Sequence, residues 1–214
     1  MNGDMGNLRI FNLNELIRIN NAPVFIETGT LYGDGIVQAL RYNFDKIISI
    51  EIEPRVAERA RQRFKNESRV EIITGHSTDV LKNLLPKINC NAIFWLDAHF
   101  PGADAELKSY DEIKKLDFKL NLPLDDEINL ISNRLGKFKD ILICDDLWVY
   151  ESIKMGDKKR PSFDEHCKAH GHDISLKDIN PDNKDLSLLY EKFSMTHDFK
   201  KIYRDQGYVI VYPL

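Results

Sequence analysis

One stretch of the chain decides its fold: VFIETGTLYGDG, residues 24–35. It begins with an apolar run of strand length at 24–26, enters a turn rich in glycine, and leads into a helical pattern over 36–44. The glycines of this turn are Gly29, Gly33 and Gly35. A strand, a glycine-rich turn and a helix in this order are typical of the first unit of a layered α/β sheet.

The same unit recurs along the chain with other residues. Apolar runs of strand length lie at 46–50, 70–74, 92–96 and 141–144. Helical patterns lie between them, at 54–64, from a capping Ser77 or Thr78 onward, and at 123–135. Because parallel neighbouring strands need helical crossovers, we predict a doubly wound, mostly parallel, Rossmann-like α/β sheet.

The segments before and after this pattern have different characters. Residues 8–19 have the spacing of an amphipathic helix, within an N-terminal helical segment at 1–22. Residues 151–186 are polar and lack a long period. They contain the tract HCKAHGH at 166–172, whose spacing differs from that of a structural zinc site. We predict that 151–186 is an insertion that acts as a lid over an acceptor.

The remaining residues predict an antiparallel end to the sheet. A short helical pattern at 188–193 precedes strand-like runs at 199–203 and 208–212. The segment between the two runs contains Asp205-Gln206-Gly207, which is typical of a hairpin turn. We therefore predict a C-terminal antiparallel hairpin and a single domain over residues 1–214.

The composition argues against several classes of partner. The chain has 214 residues, 43% of them hydrophobic, which suffices for one substantial core. With 34 acidic against 30 basic residues its net charge is −4, so we expect no nucleic-acid partner. No run approaches the roughly 18 apolar residues of a membrane span, and the N-terminus lacks an export signal, so we expect no membrane partner. The three scattered cysteines indicate a reducing, cytoplasmic location.

Each predicted parallel strand ends in polar residues. They are Glu27 and Thr28, then Glu51, then His76 and Ser77, then Asp97, and finally Asp145 and Asp146. The carboxyl ends of parallel strands meet at one edge of the sheet, and ligands of such sheets bind there. The sequence therefore predicts a polar binding site at this edge.

The spacing of the first turn narrows the class of ligand. A dinucleotide-binding turn has the pattern G-x-G-x-x-G, but Leu31 stands where the second glycine would let the backbone approach a pyrophosphate. Glu51 follows Gly29 by 22 positions, where an acid can accept hydrogen bonds from ribose hydroxyls. The pattern therefore favours a nucleoside ligand without phosphates.

At these residues the chain resembles the class I S-adenosylmethionine-dependent methyltransferases, from about Val24 to Glu151. The resemblance implies S-adenosyl-L-methionine as cofactor, with the methionine part at the first turn, the ribose at the second strand and the adenine after the third. The cofactor-binding residues implied are Glu27, Thr28, Gly29, Thr30 and Gly33, then Glu51 and Ile52, then His76 and Ser77, and Asp97.

A finer resemblance is to the metal-dependent O-methyltransferases of the catechol and sugar types. It implies that Asp97, Asp145 and Asp146 hold Mg²⁺ or Mn²⁺, ions that prefer or accept oxygen ligands. It also implies that His99 is the general base. The stretch from His99 to Asp104 departs from the usual family sequence, and Asp104 is the next candidate for the base and for acceptor contact.

Two aromatic residues beyond the acid pair complete the predicted site. Trp148 and Tyr150 stand where their rings can line an acceptor pocket by stacking. The predicted reaction is methyl transfer to a hydroxyl of a sugar, in a glycan or a glycosylated small molecule. The chain is expected either as part of a larger glycan-synthesis polypeptide or as a homo-oligomer.

Other interpretations of the same residues remain open at this point. A metal-dependent hydrolase could use Asp97, His99 and the acid pair around a water molecule, and a non-catalytic module could bind the nucleoside without turnover. Simpler still, Glu51 could be a strand-end acid paired with a nearby arginine. The aspartates could equally cap turns or helices, as aspartate commonly does after a strand.

Overall fold

The computed structural model describes residues 7–98, 122–151, 184–204 and 206–214. In these residues one sheet contains seven strands: β1 Val24–Thr28, β2 Lys46–Glu51, β3 Val70–Thr74, β4 Ala92–Leu96, β5 Ile141–Cys144, β6 His197–Ile202 and β7 Tyr208–Pro213. Their order is β3-β2-β1-β4-β5-β7-β6. The first five strands are parallel, and β7 is antiparallel to both β5 and β6. The predicted fold class, with its antiparallel C-terminal hairpin, is confirmed.

Helices cover both faces of this sheet. They are α1 Leu13–Asn20, α2 Asp34–Ala39, α3 Pro54–Arg63, α4 Ser77–Leu84, α5 Leu124–Ser132, α6 Leu147–Tyr150 and α7 Ser187–Phe193, with 3₁₀ turns at Leu8–Ile10 and Leu85–Lys87. One apolar core packs α1 and α2 against strand residues that include Phe25, and we call this side the α2 face. The other core packs α4, α5 and α7 against residues that include Ile26, and we call it the α5 face.

The alternation along β1 sends its last two side chains to opposite faces. Phe25 belongs to the α2 face and Ile26 to the α5 face. Because successive strand residues alternate between the two faces of a sheet, Glu27 lies on the α2 face with Phe25, and Thr28 lies on the α5 face with Ile26. The strand extends to Thr28, two residues beyond the predicted run, so both polar residues are paired within the sheet and fully or almost fully buried.

Two predicted helices are shorter than their sequence patterns. The segment predicted as one helix at 8–19 divides at Phe11, whose backbone is extended. The ring of Phe11 packs edge-on against Trp95 and Tyr208, which fixes this residue in the core and interrupts the helix. Helix α2 ends at Ala39 instead of residue 44. The carbonyl oxygens of residues 40, 42 and 44 accept hydrogen bonds from the guanidinium of Arg69, so they are satisfied outside a helix.

The predicted cap of α4 is wrong. His76 is the residue before the helix, and neither Ser77 nor Thr78 provides the cap. The observed ends of other helices and strands differ from the predicted ends by one to three residues. Helix α5, for example, covers Leu124–Ser132 rather than the predicted 123–135. Among the described helices none is long and apolar enough to cross a membrane.

Some predictions fall outside the described residues. They concern His99, Asp104, most of the insertion at 151–186, residues 1–6, and Asp205 in the hairpin turn. The bounds of the hairpin strands are described, and Ile202 pairs with Tyr208 across the turn.

Candidate functional site

The loop after β1 lies flat against the end of β4. Gly29 has a φ of 87°, in the left-handed region, and a Cβ there would come within 2.6 Å of the carbonyl oxygen of Asp97. Gly33 has a φ of 79°, and a Cβ there would be 2.6 Å from the ring of Phe64. Only glycine fits these two positions without movement of the neighbours. The loop is therefore fixed at both of its glycines.

Glu51 joins this loop to the end of β2. The backbone N–H of Leu31 donates to its Oε2, and the N–H of Glu53 donates to its Oε1, each at 2.9 Å. The side chain is buried, and within the described residues it forms no ion pair with an arginine. Each carboxylate oxygen has a further lone pair, so Glu51 can accept two more hydrogen bonds from a ligand.

Glu27 supports the loop from inside the protein. Its Oε2 accepts a hydrogen bond from Ser49 Oγ at 2.6 Å, and Ser49 Oγ is also 2.6 Å from Thr30 Oγ1. Its carboxyl group lies against Gly35, where a Cβ would be 1.7 Å from Oε1. Burial, with smaller contributions from the nearby Asp97 and Glu51, raises the pKa of Glu27 to about 8, although the hydrogen bond from Ser49 lowers it in part. Glu27 is therefore largely protonated at neutral pH.

Ser49 is a site residue that the sequence analysis missed. It lies in β2 between isoleucines, fully buried, and its hydroxyl connects Glu27 with Thr30. Ser49 and Glu51 are two positions apart along β2, so both side chains lie on the α2 face. A single polar residue inside an apolar strand, two positions before a candidate acid, was the signal that could have identified it.

A second buried polar group lies on the α5 face of the same edge. Glu127, in the first turn of α5, is only 1% exposed, and burial raises the pKa of this residue to about 7. The hydroxyls of Ser77 and Thr28 lie near enough to counter this rise. Both hydroxyls hydrogen-bond with the Glu127 carboxyl group, so the three side chains form one buried polar cluster.

Glu127 is also absent from the predicted site residues, although its position in the sequence carried a signal. The residue follows Asp125 and Asp126, and such a run is typical of the exposed first turn of a helix. Its spacing from Leu124, Ile128 and Ile131, however, places it on the same helix face as these buried residues.

The three candidate metal ligands lie at the ends of two neighbouring strands. Asp97 Oδ2 accepts a hydrogen bond from Trp95 Nε1 at 3.3 Å, and β4 pairs with β5 up to Leu96 and Cys144. Asp145 Oδ1 accepts from the backbone N–H of Asp146 at 2.7 Å, and Asp146 Oδ1 accepts from Trp148 Nε1 at 3.3 Å.

These contacts do not assemble a metal site within the described part of the chain. No group of three or more histidine, cysteine, aspartate or glutamate side chains in that part is arranged to hold a metal ion. Among the described residues Asp97, Asp145 and Asp146 therefore do not complete a metal site by themselves, and the cation stays a prediction.

The remaining predicted residues occupy different environments. Ile52 is 42% exposed beside Glu51, as a residue that contacts a ligand from the outside would be. His76 is half-buried, with Nδ1 2.7 Å from Thr78 Oγ1. Trp148 is half-buried, whereas Tyr150 is buried in the core of the α5 face, and burial raises the pKa of its hydroxyl.

Comparisons with known proteins give a likeness of structure alone. No family model matches the chain, and no curated protein matches its sequence. Solved structures do match, with 94% of the chain covered in each of three cases. The methyltransferase PaMTH1 of Podospora anserina, bound to S-adenosylhomocysteine, has a TM-score of 0.55 at 15% identity and is 75% covered. The O-methyltransferase TomG of Streptomyces achromogenes, bound to S-adenosylmethionine and involved in tomaymycin synthesis, has a TM-score of 0.56 at 15% identity, and 77% of its chain is covered. An O-methyltransferase of Bacillus cereus in complex with S-adenosylhomocysteine has a TM-score of 0.55 at 14% identity, and 79% of its chain is covered.

The chain shares the fold of these three proteins. At these identities the likeness is one of fold alone. Within this fold the described residues fit a nucleoside cofactor on their own geometry. Glu51 has free lone pairs at the end of β2, and Gly29 allows the loop to lie against the end of β4.

Proposed function

We propose that the chain is an S-adenosylmethionine-dependent O-methyltransferase that acts on a hydroxyl of a sugar, in a glycan or a glycosylated small molecule. The observation that carries the proposal is the fixed carboxylate of Glu51. Two backbone amides hold it at the end of β2, beside a loop that only glycines allow to lie so close. Such a carboxylate suits the two hydroxyls of a ribose, since each oxygen can accept one of them.

The residues of the α2 face would keep this site in place during the reaction. Glu27, Ser49 and Thr30 form a chain of hydrogen bonds beneath the loop, so the loop does not depend on the ligand for its shape. Methyl transfer is an in-line displacement, and its rate depends on holding the two reacting atoms aligned and close. A loop fixed from below is suited to that task.

The chemistry of the reaction sets what else the site needs. S-adenosylmethionine supplies an electrophilic methyl group on a positively charged sulfur. The acceptor oxygen forms a bond to the methyl carbon, the carbon–sulfur bond breaks with its electron pair left on sulfur, and the hydroxyl proton passes to a base. An aliphatic hydroxyl is a weak acid, so this last step requires a positioned base.

The base, the cation and the acceptor belong to the proposal. We propose His99 as base, with Asp104 as the next candidate, because His99 follows Asp97 by two residues at the carboxyl end of β4. We propose that Asp97, Asp145 and Asp146 contribute to a Mg²⁺ or Mn²⁺ site. The sugar acceptor is supported by the resemblance of these acids to the pattern of sugar O-methyltransferases. Two of the neighbouring structures are named O-methyltransferases, which supports oxygen as the methylated atom.

One experiment separates the proposal from its rivals. The chain is titrated with S-adenosylhomocysteine in a calorimeter, with Mg²⁺, with Mn²⁺ and with EDTA, and methyl transfer to a panel of glycosides is then measured by release of S-adenosylhomocysteine. The proposal predicts binding in all three solutions and turnover that EDTA abolishes. A hydrolase would not bind the nucleoside, and a non-catalytic module would bind it without turnover on any acceptor. Full turnover in EDTA, with the metal content of the protein verified, would remove the cation from the proposal and leave the methyl transfer.

A further inference from the structure

The indole of Trp95 contacts a residue of the candidate site, although its ring lies in the core of the α2 face. Trp95 is the fourth residue of β4 and is only 1% exposed. Its Nε1 donates a hydrogen bond to Asp97 Oδ2 at 3.3 Å. A phenylalanine, such as Phe25 on the same face, would also fill the core with an aromatic ring, but it would bring no hydrogen-bond donor to the end of the strand.

The backbone of Asp97 is already fixed by the neighbouring strand and loop. Its N–H donates to the carbonyl oxygen of Thr28 at 3.2 Å, and its own carbonyl oxygen would be 2.6 Å from a Cβ at Gly29. The freedom that remains to Asp97 is therefore the rotation of its side chain. Hydrogen bonds to a carboxylate are among the stronger ones in proteins, so the indole N–H favours one orientation of this group.

Trp95 can fix this orientation because its own ring is fixed. The ring of Phe11 packs edge-on against it with 5.9 Å between centroids, and the ring of Tyr208 lies at the same distance on a tilted plane. Phe11 and Tyr208 also pack against each other, at 5.1 Å. The hydroxyl oxygen of Tyr208 accepts a hydrogen bond from the N–H of Asn7 at 3.1 Å. Rings from two distant parts of the chain thus hold the indole in place.

We infer that Trp95 is a positioning residue, which holds the Asp97 carboxylate in the orientation in which it meets the cofactor. This inference rests on the proposed function, in which Asp97 borders the cofactor at the end of β4. A carboxylate that is oriented before the ligand arrives does not have to be ordered on binding. Loss of this orientation should therefore be measurable as a loss of affinity.

A double-mutant cycle separates this role from a structural one. S-adenosylhomocysteine is titrated by calorimetry into the unchanged chain, Trp95→Phe, Asp97→Ala and the double variant. Trp95→Phe keeps an aromatic ring in the core but removes the N–H donor. The control is Phe44→Leu, which replaces another fully buried ring of the α2 face, near the start of β2 and so at the opposite end of the parallel strands from Asp97. Thermal unfolding without ligand verifies that each variant is folded.

We expect Trp95→Phe to raise the dissociation constant by about 3- to 20-fold in the chain that retains Asp97. In the Asp97→Ala background the same replacement should change it by less than about twofold, because no carboxylate is left to be held. Phe44→Leu should bind within about twofold of the unchanged chain. An equal loss of affinity in both backgrounds would mean that the indole acts through core packing alone and would overturn the inference. Unchanged affinity in Trp95→Phe would overturn it as well.

The indole signals in a ¹⁵N–¹H spectrum test the same contact without a ligand. The chain has two tryptophans, and the indole signal that is absent from Trp95→Phe belongs to Trp95. If that variant does not fold, Trp148→Phe makes the assignment instead. Asp97→Ala should move the Trp95 signal more than that of Trp148, whose indole donates to Asp146. An unmoved Trp95 signal would refute the inference. Failure of the unchanged chain to bind S-adenosylhomocysteine would instead defeat the proposed function, and the inference with it, even if the Trp95 signal moved.

Discussion

Replacing Glu51 with alanine tests the cofactor site at the residue on which the proposal depends. Both oxygens of this carboxylate are held at 2.9 Å by backbone N–H groups, one from Leu31 and one from Glu53. The acceptor is thus oriented before the ligand arrives, and binding does not have to order a flexible side chain. The alanine variant loses the ligand contacts, and it also leaves two loop amides without an acceptor.

The expected size of the effect follows from these contacts. A hydrogen bond to a charged group contributes about 1.5–3 kcal/mol, and two bonds to the ribose would be lost. Water and the two freed amides can replace part of this interaction, so we expect a net loss of about 1.5–3 kcal/mol rather than twice that range. In affinity this corresponds to a roughly 10- to 150-fold higher dissociation constant for S-adenosylhomocysteine.

The assay is calorimetric titration of the unchanged chain, Glu51→Ala and the control Glu58→Ala. Glu58 is an exposed acid on α3, so its replacement makes the same change in net charge without touching the site. The control should bind within about twofold of the unchanged chain, because a distant exposed charge is screened by salt. Unchanged affinity in a Glu51→Ala variant that unfolds at a normal temperature would refute the assignment of Glu51 to the cofactor.

Three further predictions concern stability and the proposed base. The pKa of Glu27 is raised from 4.5 to about 8 in the folded chain, so unfolding releases a proton between these values and stability falls as pH rises through this window. The Glu27→Gln variant should therefore gain stability relative to the unchanged chain by up to about 1.4 kcal/mol per pH unit from pH 5 to 8. If urea denaturation gave the same difference in unfolding free energy between the two proteins at every pH in this range, the prediction would be wrong. Arg134→Met breaks a buried ion pair with Asp140 at 2.6 Å and should lower the free energy of unfolding by about 3–5 kcal/mol; a loss below 1 kcal/mol in denaturant titration would argue against it. His99→Ala should reduce turnover by ~10²–10⁴ and move the acidic limb of the pH–rate profile while cofactor affinity is kept, and an unchanged profile would direct attention to Asp104.

The strands of this fold were predictable because burial on both faces leaves a direct mark on the sequence. The strands β1, β2 and β4 are apolar runs, and their positions follow from that alone. The position of Glu51 at the end of β2 was predictable for a similar reason, since it directly follows such a run. The local sequence holds this kind of information.

The residues that were missed depend on contacts between distant parts of the chain. The length of α2 is limited by Arg69, which lies about 30 positions away from the carbonyl groups it binds. Glu127 looks like an ordinary first-turn acid until α5 is placed against β1 and α4. Ser49 likewise gains its meaning from Glu27 on the neighbouring strand. Tertiary contacts, rather than local preference, decide these cases.

The position of β7 between β5 and β6 determines when the sheet can be finished during synthesis. Strands β1 to β5 have been made by residue 144, but β5 meets its second neighbour only when residues 208–213 have left the ribosome. Until then the backbone N–H and C=O groups along the outer edge of β5, itself an apolar strand, lack their partners in β7. Such an exposed apolar edge favours association between nascent chains. Since β6 also pairs with β7 rather than with β5, it cannot cover that edge in the meantime. Removal of residues 208–213 would therefore be expected to cause aggregation of the whole chain rather than local fraying.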